Sequence, residues 1–210
     1  MTHRVFKGDR EGRLSLVTAP AEEPLSTDDA KTHLRVDHSS EDTYIAALVE
    51  SARLDVERHT GRALVTQTWD LKLRRFPAGG IPIRLPKAPL QSITSISYVD
   101  ANGTTQTWDA ANYSADAPAG EFADRGLLVP DYGVIYPATQ GHIFDVTVRL
   151  VAGYGAAAAV PEGLVEAVRL LVAHRYDTRT PVVTGTVAAR IPDSVQALLN
   201  AYALDPVAVA

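Results

Sequence analysis

The side chains that could do chemistry in this chain are few, and their spacing suits none of the common reactions. His33, Asp37 and His38 come nearest to a metal-ligand set. Two imidazoles five positions apart do not share a helix face, however, and the residues between them cross a break in the pattern, so solvated polar side chains are the better reading. His174 and Asp177 sit three apart on a predicted helix and can touch, as surface pairs worth a few tenths of a kcal/mol do. Carboxylates are plentiful but scattered over helix starts and turns, and the facing pair that glycoside hydrolysis needs cannot be read from spacing. No G-x-S-x-G elbow, phosphate-binding glycine loop or H-E-x-x-H occurs. Gly153-Tyr154-Gly155 is too short to cradle a phosphate and reads as a tight turn after a strand. The absence of cysteine removes disulfides, thiolate metal sites and a cysteine nucleophile together. No catalytic residue, cofactor or metal is expected. Trp69, Trp108, Tyr113, Tyr132 and Tyr136 could form a sugar-binding platform, but aromatic residues in strands more often pair within a core.

Composition narrows the partners. The chain has 210 residues, 46% hydrophobic and 21% charged, as expected of a globular protein with one ordinary domain or a helical body with a second lobe. It has no apolar run of about 18 residues, so no membrane partner is expected. Its opening, MTHRVFKGDREGR, lacks the apolar stretch of a secretory signal, so the sequons at Asn102 and Asn112 read as chance. The net charge of −5 argues against gripping DNA, because nonspecific binding neutralises phosphates with Lys and Arg. Lys72, Arg74 and Arg75 alternate with Leu71 and Leu73, which is the solvated face of a strand. This charge is compatible with a wall along which DNA slides without sticking.

The elements that must position any site follow from periodicity. A polar arm with one apolar run, Leu14 to Val17, could add a strand to a sheet elsewhere. Two capped helices follow, at about Ser26–Arg35 and Ser40–Arg62. Ser26 or Thr27 can cap the first, and Ser39 or Ser40 the second. On the second helix Ile45, Leu48, Ala52 and Val56 form a buried stripe, Glu50, Arg53 and Glu57 form the wet face, and Gly61 closes the end. Strand alternation then takes over, in Thr68–Arg74, Ser92–Val99 and Thr104–Trp108, with an Asn102-Gly103 hairpin turn between the last two. Ile81–Pro86 suits an edge strand because of its prolines. Leu127–Val129, Val134–Tyr136 and Phe144–Val151 complete about seven strands. A helix from about Glu162 to Tyr176 comes next, with Leu164, Val165, Val168, Leu171, Val172 and Tyr176 on its apolar face. The stretch Thr178–Arg190 reads as a long loop. The fold class is α+β: a small helical bundle formed by both ends of the chain, with an inserted β-rich lobe. The divisions are 1–62 (arm and two helices), 63–155 (β lobe) and 156–210 (C-terminal helices).

The last helix, about Pro192–Ala203, puts Val195, Leu198, Leu199 and Tyr202 on one face. Spacing leaves two uses even: packing on its own body, or docking in a partner's groove. The helix lies beyond the main apolar clusters, and folding is expected to survive changes in it.

Several local motifs occur in a telling order. Leu14-Ser15-Leu16-Val17 leads, followed by Asp29-Ala30-Lys31-Thr32-His33-Leu34-Arg35-Val36, the acidic break Glu41-Asp42, and Thr60-Gly61-Arg62. Near the other end stands Ile191-Pro192-Asp193-Ser194-Val195-Gln196-Ala197-Leu198-Leu199. In this order they resemble the head–tail connector (adaptor) proteins of long-tailed bacteriophages and gene transfer agents. The resemblance implies a structural subunit of the virion neck, assembled in the bacterial cytoplasm. Twelve copies would form a ring under the portal, extend the DNA channel and present a platform to a stopper or tail-terminator protein. It also implies anchoring through the C-terminal segment, which makes Val195, Leu198, Leu199 and Tyr202 the expected contacts with the portal or a neighbouring subunit. The competing readings are a stopper or tail-terminator subunit, a carbohydrate-binding module of a tail tip, and a hydrolase with an unrecognised site, which the absent motifs disfavour.

Overall fold

Helices and strands of this chain sort into separate bodies, although they alternate along the sequence. The computed structural model describes residues 2–4, 12–178 and 193–204. It divides into a β unit (Met1–Pro20, Thr66–Tyr154 and Leu204–Ala210) and a helical unit (Ala21–Val65 and Gly155–Ala203). The expected α+β class holds, with helices from both ends of the chain gathered in one unit.

Among the described residues, four α-helices build the helical unit: α1 (Thr27–Leu34), α2 (Asp42–Thr60), α3 (Glu162–Asp177) and α4 (Asp193–Tyr202). Ser26 caps α1, its Oγ accepting from the Asp29 amide at 3.0 Å while donating to the Asp29 carboxylate at 2.7 Å. The second cap differs from expectation. Glu41 occupies the position without a side-chain bond to the helix amides, its carboxylate accepting from the Tyr176 hydroxyl, and Ser40 pairs with His38 Nδ1 at 2.8 Å. Lys31 reaches from α1 to Asp42 at the start of α2, 2.7 Å away.

α2 also corrects the expected burial pattern. Ile45, Val49, Ala52 and Val56 are buried, whereas Leu48 is only half-buried. Arg53 and Glu57, read from spacing as wet, retain only 5% and 4% exposure. The reason is that α2 packs against α1, α3 and α4 together, so it must bury more than one stripe. Arg53 tolerates this because Glu23 and Glu57 receive its guanidinium at 2.7 and 3.1 Å. The other Glu57 oxygen accepts from the Leu64 amide at 3.0 Å. Burial works to lower the Arg53 pKa, but the bond to Glu23 and the charges of Glu57, Glu23 and Glu50 outweigh it, leaving the group above its ordinary value.

The β unit is antiparallel throughout its described strands. These are β1 (Thr2–Arg4), β2 (Gly12–Thr18), β3 (Gln67–Leu73), β4 (Ile83–Arg84), β5 (Leu90–Val99), β6 (Thr105–Trp108), β7 (Tyr113–Asp116), β8 (Leu127–Pro130) and β9 (Val146–Ala152). One sheet of six has the order β1-β2-β3-β9-β5-β6, and a smaller one has β4-β8-β7. The Leu14–Val17 run does join a sheet, as β2 beside β3. Leu71, Leu73, Val146, Val148 and Leu150 face the core, while Asp70, Lys72, Thr147 and Arg149 alternate to the other face. The expected strand at Val134–Tyr136 is absent, and Tyr113–Asp116 is an unexpected one. Instead of pairing, Tyr136 stacks on Phe76 (5.0 Å between centroids) beside Trp108, and its hydroxyl donates to the Ile81 and Leu128 carbonyls. Tyr98 and Tyr113 extend this aromatic cluster.

Two outcomes are expected. Arg53→Ala leaves Glu57 buried without its cation and should lower stability by about 3–5 kcal/mol, read from the urea midpoint. In alkali the phenols act. Burial pushes Tyr136 up to about 12, and burial followed by the charge of Asp109 raises Tyr113. Both protons are held more tightly in the folded state than near the ordinary value of about 10, so their contribution is complete below about pH 10 and lost as pH rises toward 12. Urea midpoints of the wild type should therefore fall more steeply above about pH 10 than those of Tyr136→Phe.

Candidate functional site

The four residues singled out on the last helix divide in the structure. Val195, Leu199 and Tyr202 are buried within the helical unit, and Leu198 is half-buried. α4 packs on α3 and α2, so it does not lie beyond the apolar clusters, and it contributes to the core of its own unit. Gly163 makes this fit possible, since a Cβ there would stand 2.4 Å from the Tyr202 hydroxyl. The long loop expected over Thr178–Arg190 and the helix start at Pro192 lie outside the described residues.

Two side chains at the end of α2 also hold α4. Buried Arg62 donates from Nε to the Tyr202 carbonyl at 2.7 Å. His59 Nε2 and Asn200 Oδ1 are 3.0 Å apart. The Thr60-Gly61-Arg62 run thus does more than end a helix. Thr60 Oγ1 donates back to the Val56 carbonyl at 2.8 Å, and Gly61 takes φ 75°, which a side chain would strain. That reversal delivers Arg62 to the end of α4. Sequence reasoning read Gly61 but missed Arg62, although its motif position was the available signal.

A groove of about 590 Å³ opens elsewhere in the helical unit. Its walls come from the Glu22–Thr27 joint, Ala46 and Val49 of α2, the turn around Ala157 and Ala158, and Val165 and Arg169 of α3. Glu22 fastens the joint by accepting from the Ala157 amide at 2.8 Å. At the α3 start, Arg169 pairs with Glu162 at 3.3 Å and with Glu166.

The residues considered for chemistry are not brought together. His33, Asp37 and His38 are exposed, and among the described residues no group of three or more His, Cys, Asp or Glu side chains could hold a metal. Trp69 and Trp108 are buried and Tyr136 is half-buried, which leaves no exposed platform from those three. Tyr132 is the exception, fully exposed on the loop between β8 and β9 together with Ile135 (85%) and Ile143 (80%). Arg74 and Arg75 are exposed and Lys72 half-buried, while Arg149 clamps Asp70 with bonds of 2.8 and 2.9 Å. Among the described residues, no helix is long and apolar enough to cross a membrane.

With this geometry in place, comparison with known proteins gives consistent findings. Residues 25–115 match the family described as phage gp6-like head-tail connector proteins. The fold is similar to a chain in the neck of an empty gene transfer agent (GTA) particle computed with C6 symmetry. The TM-score there is 0.74 at 27% identity, over 94% of this chain and 98% of that one. A chain from the virion of a native GTA particle matches with a TM-score of 0.75 at 26% identity, over the same shares. The neck of a native GTA particle computed with C12 symmetry gives 0.70 and 25%, again over 94% and 98%. No curated protein matches by sequence. The resemblance read from the motifs is borne out.

Burial separates two neighbouring leucines experimentally. Leu199→Asp places a charge in the core of the helical unit and should lower the melting temperature by roughly 10 °C. Leu198→Asp should change it by less than about 3 °C, leaving that variant folded for binding assays. Scanning calorimetry measures both.

Proposed function

We propose that this chain is a structural head–tail connector subunit of a phage or GTA-like particle, working in the neck. The observation that carries this reading is the breadth of the similarity: 94% of this chain aligns with 98% of a GTA neck protein, so helical and β units are both paralleled there. The match to connector proteins over residues 25–115 takes in α1, α2 and the strands β3 to β6.

In the finer form of the proposal, twelve copies form a ring beneath the portal protein and continue the DNA channel toward a stopper or tail-terminator protein. The neck structures similar to this chain were computed with six- and twelve-fold symmetry, which supports a ring of identical subunits. The net charge of −5 suits a channel wall, since DNA passing it has little cationic surface to bind. The proposed portal or neighbour contact lies on the helix bearing Val195, Leu198, Leu199 and Tyr202. Because Val195, Leu199 and Tyr202 are covered by their own unit, they brace the helix, and half-buried Leu198 with its exposed neighbours meets the partner. The work is positioning, and no bond-making step is assigned to any residue.

Native mass spectrometry with and without purified portal tests this. The isolated chain should run as monomers or loose associates, and addition of portal should give a complex holding twelve copies. A stable trimer or hexamer of the pure chain, or failure to bind portal, counts against the ring.

A further inference from the structure

A ring requires each copy to present two different surfaces, one to the neighbour on each side. Two features of the molecule have that relation. The first is a protrusion. Tyr132 is fully exposed and Ile135 is 85% exposed, yet the backbone that carries them is held. Asp131 donates its amide to the Asn112 carbonyl at 3.0 Å, and Val134 closes a turn onto the Asp131 carbonyl at 2.9 Å. Ser114 Oγ also donates to the Asp131 carboxylate. Large apolar side chains displayed on a fixed turn, uncovered by the described residues, mark a contact surface.

The second is the groove of about 590 Å³ in the helical unit, within the range of about 300–1,000 Å³ that binding clefts occupy. Its accessible walls are the small side chains of Ala46, Ala157 and Ala158, with Val49 and Val165 behind them. Glu22 and Glu162 contribute carboxylates among its lining residues, the first bonded to the Ala157 amide and the second paired with Arg169, which also lines the groove. An apolar bed with acceptors beside it is the environment that a tyrosine fits, its ring among methyl groups and its hydroxyl donating to a carboxylate.

We infer that Tyr132 and Ile135 of one copy seat in this groove of the next copy, forming the repeated contact of the ring. The inference rests on the connector role proposed above. A second copy is the occupant because the chain itself carries both complementary surfaces, and because they differ. A pairing of unlike surfaces runs head to tail and closes into a ring when the rotation between copies allows, whereas a two-fold dimer uses like ones. Area points the same way. An aromatic side chain buries about 150–250 Å², so two protruding side chains fall well short of the roughly 800 Å² per partner of a stable pair. Such a contact is too small to hold two free subunits and becomes effective when a portal gathers them, as linked sites raise one another's effective concentration.

The lack of native cysteine makes a cross-linking test clean. Tyr132→Cys and Ala158→Cys chains, mixed in equal amounts on portal and oxidised, should give disulfide-linked dimers that neither variant gives alone or without portal. Tyr132→Ser/Ile135→Ser, altered only at exposed positions, should melt as the wild type does and reduce the fraction of filled rings at least tenfold. No cross-link together with normal ring filling by the double variant overturns the inference and leaves the connector role standing. If the wild type forms no ring on portal, the connector role itself fails.

Discussion

The helical unit depends on the ion network around one of its buried cations. Arg53 lies almost out of reach of water, and a guanidinium in that position is tolerable only while its carboxylates stay in place. Glu57 comes from the next turn of α2, but Glu23 comes from the joint that leads into α1, thirty residues earlier. Glu57 spends its second oxygen on the Leu64 amide, just after the helix has ended. One charge network therefore fixes where the chain enters the unit, how α2 is oriented, and where the chain departs. Apolar residues of the same volume could fill this space with similar stability, but they would not dictate which segment meets which.

A second constraint follows directly. With the end of α2 fixed, Gly61 turns the chain and Arg62 reaches the last carbonyl of α4. The C-terminal helix is thereby braced against the body by a bond to its backbone, together with the Tyr202 ring lying over Gly163. In the proposed connector role, such bracing would order the surface that α4 presents before a partner arrives.

Much of this architecture was legible in the sequence, and the failures have physical causes. Ser26 before Asp28 and Asp29 marked the start of α1, because a cap acts through local hydrogen bonds. Asn102-Gly103 marked the β5–β6 turn for the same reason, with Asp100 accepting from the Asn102 and Thr104 amides and Gly103 at φ 82°. Arg53 and Glu57 were misread because charges four apart on a helix look alike whether water or a neighbouring helix faces them. Tyr113–Asp116 was missed since an edge strand with little burial has no apolar alternation to detect. Conversely, Tyr136 lost its predicted strand to an aromatic cluster assembled from distant positions. The C-terminal stripe was visible as a stripe, while its cover by α2 and α3 was not. Tyr132 could not be separated from the buried aromatics by sequence, because exposure is decided by the loop's path.

The functional account rests on a fold shared with neck proteins over nearly the whole chain, and on motifs that now have structural roles. Electron cryomicroscopy of the neck of purified particles, without imposed symmetry, would place the chain in the particle. The account predicts twelve copies of this two-unit fold in a closed ring against the portal, around a lumen wide enough for duplex DNA. Density for the chain at the tail tip or on the capsid shell, or a portal contacted directly by another protein, would contradict it.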